Sequence, residues 1–304
     1  MSLAFDPEIE TAIKAAMAAA GEVVPPPRGD ALTLRANLHE LMGAMAAAVV
    51  KSPEVVRTTY HTVAGDGAML DLHWHTRGHS RPGSAVLYVH GGGMICGTVD
   101  LYNAVINDYV AASGVPMLAV EYRLAPEYPH PTPVEDSYAG VAWLFDHAAE
   151  LGVDPARIAV MGDSAGGGIA AGVALLARDR GLALARQILI YPMLDDRNQQ
   201  PEAALVPFAN WTYDNNFTGW SALLGPAFGT DDVPAPAAPV RANDLRGVAP
   251  AYIEVGELDI FRLEDIDYAR AIAAAGVSIE LHVHPGAPHG FERMAPDSDV
   301  AKRA

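Results

Sequence analysis

The chain has 304 residues, half of them hydrophobic, and carries 20 basic against 37 acidic side chains for a formal net charge of −17. That length buries one large core or two modest ones, and the hydrophobic content excludes a disordered chain. The acidic balance argues against nucleic acid and anionic membrane surfaces as partners, because both need basic patches.

Residues 1–55 are rich in alanine and predict two helices. The first begins at Asp6-Pro7, since proline suits the first helical position, and the second covers 30–51, with Pro25-Pro26-Pro27 breaking the chain between them. Segments 58–63 and 69–75 predict two strands joined by the Gly65-Asp66-Gly67 turn. Short apolar runs at 85–90, 115–121, 157–161, 187–191, 251–255 and 278–283 predict further strands, with helices over 101–113, 134–151, 165–180 and 262–275. Two early strands followed by alternating strand and helix give an α/β class. The expected architecture is a mostly parallel central sheet with an antiparallel edge and helices on both faces. Residues 194–248 break this rhythm, and a connection of that length is usually functional. It reads as a helical cap or lid that packs, with the N-terminal helices of 1–55, over the C-terminal edge of the sheet. Residues 56–193 and 249–304 are then the catalytic core. Asp297 onward reads as a helix start, short of a full last helix.

Gly162-Asp163-Ser164-Ala165-Gly166 matches G-x-S-x-G directly after a predicted strand and before a predicted helix. That context puts a serine hydroxyl on a strained elbow above a sheet, with glycines where backbone approaches backbone. A hydroxyl alone is a weak nucleophile, so a base, an orienting acid and an oxyanion site are required. His90-Gly91-Gly92-Gly93 follows a strand, and its glycines allow backbone N–H groups to turn toward a developing oxyanion. His289, between Pro288 and Gly290 beyond the last strand, is the expected base; His284, in or at the end of that strand, reads as structural. Asp259, in the loop after the preceding strand, is the expected acid, with Glu257, Asp265 and Asp195 as competitors.

These motifs, with Tyr122-Arg123-Leu124-Ala125-Pro126-Glu127 and the His289-Gly290-Phe291 ending, resemble the bacterial hormone-sensitive-lipase-like esterases, family IV of the α/β-hydrolase fold. The resemblance covers essentially the whole chain. It implies hydrolysis of short to medium acyl esters, without cofactor, by Ser164 as nucleophile, His289 as base and Asp259 as acid. The oxyanion site would be the N–H of Ala165 with two N–H groups from Gly91, Gly92 and Gly93, of which Gly92 and Gly93 are favoured. The family's usual Asp-Pro-Leu at the acid is replaced here by Asp259-Ile260-Phe261. The Tyr122–Glu127 run would buttress the site, with Arg123 and Glu127 expected to pair. Only the resemblance suggests a homodimer, through the last strand or helix.

Met94, Trp211, Tyr213, Phe217 and Trp220 are candidates for the substrate pocket, the four aromatics because they lie in the expected lid. His73 and His75 share a strand face, as do His282 and His284, but no third ligand accompanies either pair, so no metal is expected. Gly166–Ala171 imitates a dinucleotide fingerprint but starts inside the helix, where close packing explains it better. Cys96 reads as a small packing residue. A single cysteine allows no intrachain disulfide and fits a reducing compartment. No apolar stretch of about 18 residues is present, and no signal-peptide pattern. The reading is a cytoplasmic enzyme with a small-molecule ester substrate, no nucleic-acid partner and no stable membrane insertion. An amidase, lactonase or sugar-ester deacetylase would share the triad, and a small-ligand receptor on the same fold is the alternative of another class.

Overall fold

A computed structural model describes residues 3–20, 25–48, 52, 54–78 and 83–304. Eight strands form one sheet in the order β1-β2-β4-β3-β5-β6-β7-β8. They are β1 (Val55–Val63), β2 (Met69–Arg77), β3 (Gly83–Val89), β4 (Met117–Val120), β5 (Val153–Asp163), β6 (Arg186–Ile190), β7 (Ala251–Gly256) and β8 (Ile279–His284). The β1–β2 and β2–β4 pairings are antiparallel and every other pairing is parallel. The expected fold class is therefore present, with its antiparallel edge at the N-terminal end of the chain.

The central parallel strands are largely buried on both faces, while the parallel edge strand β8 is mostly exposed, and the strand sequences show why. In β3, Ala85, Leu87 and Val89 join one core while Val86 and Tyr88 join the other; in β5, Ile158 and Val160 oppose Ala159 and Met161 in the same way. Successive side chains point to opposite faces, so a continuous apolar run feeds two cores. The first core is covered by α4 (Thr132–Asp146), α6 (Ala165–Asp179) and α8 (Arg262–Ala274). The second is covered by α3 (Val99–Ser113), with α1 (Pro7–Ala20) and the four-residue α9 (Phe291–Met294). Thr98 caps α3, accepting a bond from the Leu101 N–H at 3.2 Å, and Gly114 ends it in the left-handed conformation.

Three expectations shift. The helix expected over 134–151 is α4 plus the four-residue α5 (Ala148–Leu151), interrupted at His147. No helix starts at Asp297: the preceding turn is α9, and a short 3-10 turn covers Ala301–Arg303. The second N-terminal helix, α2, runs Ala31–Ala48, and its expected end at Lys51 lies outside the described residues. Between β6 and β7, residues 194–248 contain α7 (Tyr213–Leu224) and three 3-10 turns.

The expected Arg123–Glu127 pair does not form. Arg123 instead grips the fully buried Asp136 with Nε at 2.9 Å and Nη2 at 2.7 Å, and reaches Asp66 on the β1–β2 turn. Glu127 takes a two-pronged bond from Arg35 of α2 at 2.7 and 2.6 Å, which holds its carboxyl down at about 2. Each guanidinium meets both oxygens of one carboxylate with its planar fork.

Candidate active site

β5 ends at Asp163 and α6 begins at Ala165, so Ser164 alone makes the turn, at φ 55° and ψ −124°. Such a backbone in a non-glycine residue costs on the order of 1–3 kcal/mol and must be held by its surroundings. Its N–H donates to the Ile190 carbonyl at 2.8 Å and its carbonyl accepts from the Met193 N–H at 2.9 Å. A Cβ on Gly162 would overlap the Gly166 carbonyl, and one on Gly166 would overlap the carbonyl of Val89 on β3. The flanking glycines are therefore a steric requirement of the elbow.

The loop after β8 brings His289 to the serine. His289 Nε2 lies 2.9 Å from Ser164 Oγ, and Nδ1 lies 2.7 Å from Asp259 Oδ2. Asp259 sits in the turn after β7, buried, and its Oδ1 accepts the Phe261 N–H at 3.0 Å. A carboxylate facing Nδ1 places the ring proton there and leaves Nε2 as the acceptor for the serine hydroxyl. The imidazole is flanked edge-on by the rings of Tyr191, with centroids 4.6 Å apart, and Phe261, at 5.2 Å.

The competing acids lie elsewhere. Asp195 bonds Arg197 at 2.8 Å, and Glu257 accepts the Gly286 N–H at 2.9 Å. Asp265 is buried in α8 with neither oxygen hydrogen-bonded, and burial pushes its carboxyl well above the usual range. His284 closes β8 beside Glu254, 3.4 Å away.

The glycine loop lies across the elbow. Gly92 and Gly93 have φ of 119° and 60°, and the Gly92 carbonyl accepts from the N–H groups of Ile95 and Cys96, at 3.1 and 2.9 Å. Among the described residues, the N–H groups of Gly91, Gly92, Gly93 and Ala165 find no protein acceptor. A Cβ on Gly91 would clash with the Asp163 carboxylate, and one on Gly92 would overlap the Cys96 carbonyl. His90 anchors the loop, with Nδ1 2.8 Å from the Gly91 carbonyl and its ring stacked on Tyr122 at 4.3 Å. Burial lowers its pKa to about 4, so it is neutral near pH 7. Cys96 is fully buried and burial pushes its thiol up to about 12, so it packs and is not a thiolate nucleophile.

The aromatic candidates separate. Trp211 is buried with its ring against Gly93, where any side chain would strike it. Tyr213 is buried and its hydroxyl accepts the Glu202 N–H at 3.1 Å. Trp220 and Met94 are core residues, and Met94 reaches Gly168 of α6. Phe217 stands under the Arg28 guanidinium at 3.9 Å and edge-on to Phe228 at 5.3 Å. His75 is buried and bonds Asn107 at 2.8 Å, while His73 bonds Thr59 at 3.1 Å; no cluster of three potential metal ligands exists among the described residues.

Other residues at the site carry no motif. Asn210 Nδ2 donates to the His289 carbonyl at 2.6 Å. Arg35 Nε donates to the Ile95 carbonyl at 2.5 Å and His39 Nε2 accepts the Gly97 N–H at 3.1 Å, which ties α2 to the glycine loop. Tyr191 takes φ 35° beside the histidine. Each partner is more than 30 positions away in the chain, so no local pattern marks it.

A nucleophile elbow at the C-terminal end of a parallel strand, with histidine and carboxylate supplied by later loops, defines the class of α/β-hydrolases. A family model described as alpha/beta hydrolase fold matches residues 86–293, and the chain belongs to that family, in its hormone-sensitive-lipase-like branch, family IV. Esterase LipI of Mycobacterium tuberculosis is 38% identical over 219 residues, a match spanning 68% of this chain and 65% of LipI, just under two thirds of that relative. Ethyl acetate hydrolase of Pseudomonas putida is 32% identical over 288 residues, spanning 90% of this chain and 87% of its own length. The solved structure of a bacterial heroin esterase superposes with a TM-score of 0.86 at 36% identity, covering 98% of this chain and 94% of that one.

Proposed function

We propose that the protein is a serine carboxylesterase acting on small esters of short to medium acyl chains. The observation that carries this is the relay of two hydrogen bonds, 2.7 Å and 2.9 Å long, from Asp259 through His289 to a serine on a strained elbow. The esterase names of the relatives, one of them an ethyl acetate hydrolase, support ester bonds over amides or lactones.

Ser164 Oγ attacks the ester carbonyl carbon while His289 Nε2 takes its proton. The oxygen that gains negative charge is held by the N–H groups of Gly92, Gly93 and Ala165, which have no competing protein acceptor among the described residues. The carbon–oxygen bond to the alcohol then breaks, and His289 returns the proton to that oxygen. Water repeats the sequence on the acyl-serine and releases the acid. Asp259 stays ionised, fixing the tautomer and stabilising the imidazolium. No step requires a cofactor.

The cap completes the reading: residues 194–248, with the helices of 1–55, close the site over core segments 56–193 and 249–304. Asn210 touching the histidine loop, Trp211 touching Gly93 and Arg35 touching Ile95 support it. A cytoplasmic location fits the single, buried cysteine, and the −17 charge fits the absence of a nucleic-acid partner. No helix among the described residues is long and apolar enough to cross a membrane. A homodimer across β8, whose outer edge ends the sheet and whose Leu281 and Val283 are exposed, belongs to the same reading.

The test is hydrolysis of short p-nitrophenyl esters by the wild type and by Ser164→Ala. Wild-type turnover that vanishes in the variant is expected, and near-full activity of the variant would overturn the assignment. A panel of acyl lengths and of amide and lactone bonds then sets the substrate class.

A further inference from the structure

The turn that follows the histidine touches both halves of the site. α9 begins two residues after His289, and its adjacent side chains Glu292 and Arg293 diverge to different targets. Arg293 Nη2 lies 2.8 Å from Oδ2 of Asp163, the residue before Ser164, and its guanidinium sits 4.6 Å over the Tyr102 ring. The Asp163 carboxylate is buried and also accepts the hydroxyls of Tyr88 at 2.6 Å and Tyr102 at 3.0 Å. Glu292 accepts a hydrogen bond from the hydroxyl of Tyr191, whose ring stands edge-on to the His289 imidazole. Arg293 Nε and Glu292 Oε1 lie 3.4 Å apart.

We propose that Glu292 and Arg293 are positioning residues, a brace that sets the Ser164–His289 separation by tying the nucleophile elbow and the imidazole to one turn of helix. This inference rests on the esterase reading above. Neither side chain bonds the serine hydroxyl or the imidazole nitrogens directly, so the brace acts through Asp163 and Tyr191. A simple surface role does not explain it. Asp163 has three partners converging on a site where solvent could not supply them, and Tyr191 spends its hydroxyl on Glu292 while strained at positive φ. The Asp163 carboxylate also abuts Gly91, so a shift of the elbow would reach the glycine loop as well. The reacting atoms tolerate little error: a displacement of about 1 Å costs on the order of 100-fold in rate.

The experiment compares wild type with Arg293→Met, Arg293→Lys and Tyr191→Phe. Turnover is counted per serine titrated to completion with an organophosphonate, so that unfolded protein does not enter the rate. The brace predicts that Arg293→Met and Tyr191→Phe lower kcat by about 10- to 100-fold with KM within about threefold. Arg293→Lys, which keeps the charge, recovers most of the loss. A role in stability alone would lower Tm and leave kcat per titrated site within about twofold of wild type, and that result overturns the brace. Failure of the esterase reading would look different, since the wild type itself would then neither turn over esters nor be titrated.

Discussion

Asp259→Asn tests the proposed acid most sharply, because the structure dictates how the amide must sit. Asp259 Oδ1 accepts the Phe261 N–H at 3.0 Å, so an asparagine keeps its carbonyl oxygen there and turns its NH2 toward His289 Nδ1. A donor facing Nδ1 drives the ring proton to Nε2, which then points an N–H at Ser164 Oγ and cannot take the serine proton. The same tautomer reversal elsewhere costs about 10⁴-fold in kcat, or about 5 kcal/mol at about 1.36 kcal/mol per decade. Asp195→Asn is the control, since Asp195 is bonded to Arg197 and makes no contact with the histidine. The assay is steady-state hydrolysis of p-nitrophenyl acetate with organophosphonate labelling in parallel, on variants shown by circular dichroism to be folded. The reasoning predicts a loss of about 10⁴-fold in both readouts for Asp259→Asn and less than about threefold for Asp195→Asn. Retention of activity within about tenfold by Asp259→Asn, or a larger loss in Asp195→Asn, would refute it.

Three further outcomes follow from contacts at and around the site. Gly166→Ala places a methyl into the Val89 backbone carbonyl, which cannot swing away as a side chain would; destabilisation of at least about 1–3 kcal/mol is expected, read as a lowered urea midpoint. Asn210→Ala removes one hydrogen bond to the His289 carbonyl, worth about 1 kcal/mol, so kcat/KM should fall by up to about fivefold with no change in melting temperature beyond a few degrees; an unchanged rate would show that the cap contact does not matter. His75 is buried with its pKa lowered to about 4 by burial, against an unfolded value of about 6.5. Its neutral form therefore contributes stability that is fully present above pH 6.5 and is lost as pH falls toward 4. Over that range the wild type should lose about 3 kcal/mol more than His75→Gln, and parallel denaturation curves at both pH values would contradict this.

The sheet was legible because parallel, doubly buried strands are written as short apolar runs, and 85–90, 157–161 and 251–255 each found a strand within a few residues. Ser164, His289 and Asp259, which the structure brings into one hydrogen-bonded line, could be named because backbone geometry restricts what may stand beside them: glycines around the serine, a loop after the last strand, a turn after β7. Residues chosen by tertiary partners alone were harder to read. Glu127 found Arg35 from a helix over 90 positions earlier, so its expected pairing with Arg123 failed. Tyr191, Asn210 and Arg293 touch the site or its neighbours through side-chain bonds across the fold, and no local spacing signals such bonds. The aromatics of 194–248 diverged for the same reason: Trp211 packs on Gly93, whereas Trp220 fills the core.

The central claim is that Ser164 carries the acyl group during ester hydrolysis. It is tested most directly by quenching the enzyme in acid during turnover of a short-chain ester and mapping the modified peptide by mass spectrometry. The account predicts one acyl group on the peptide bearing Ser164, absent from Ser164→Ala. Turnover with no acylated Ser164 peptide, or with the acyl group on another residue, would contradict it.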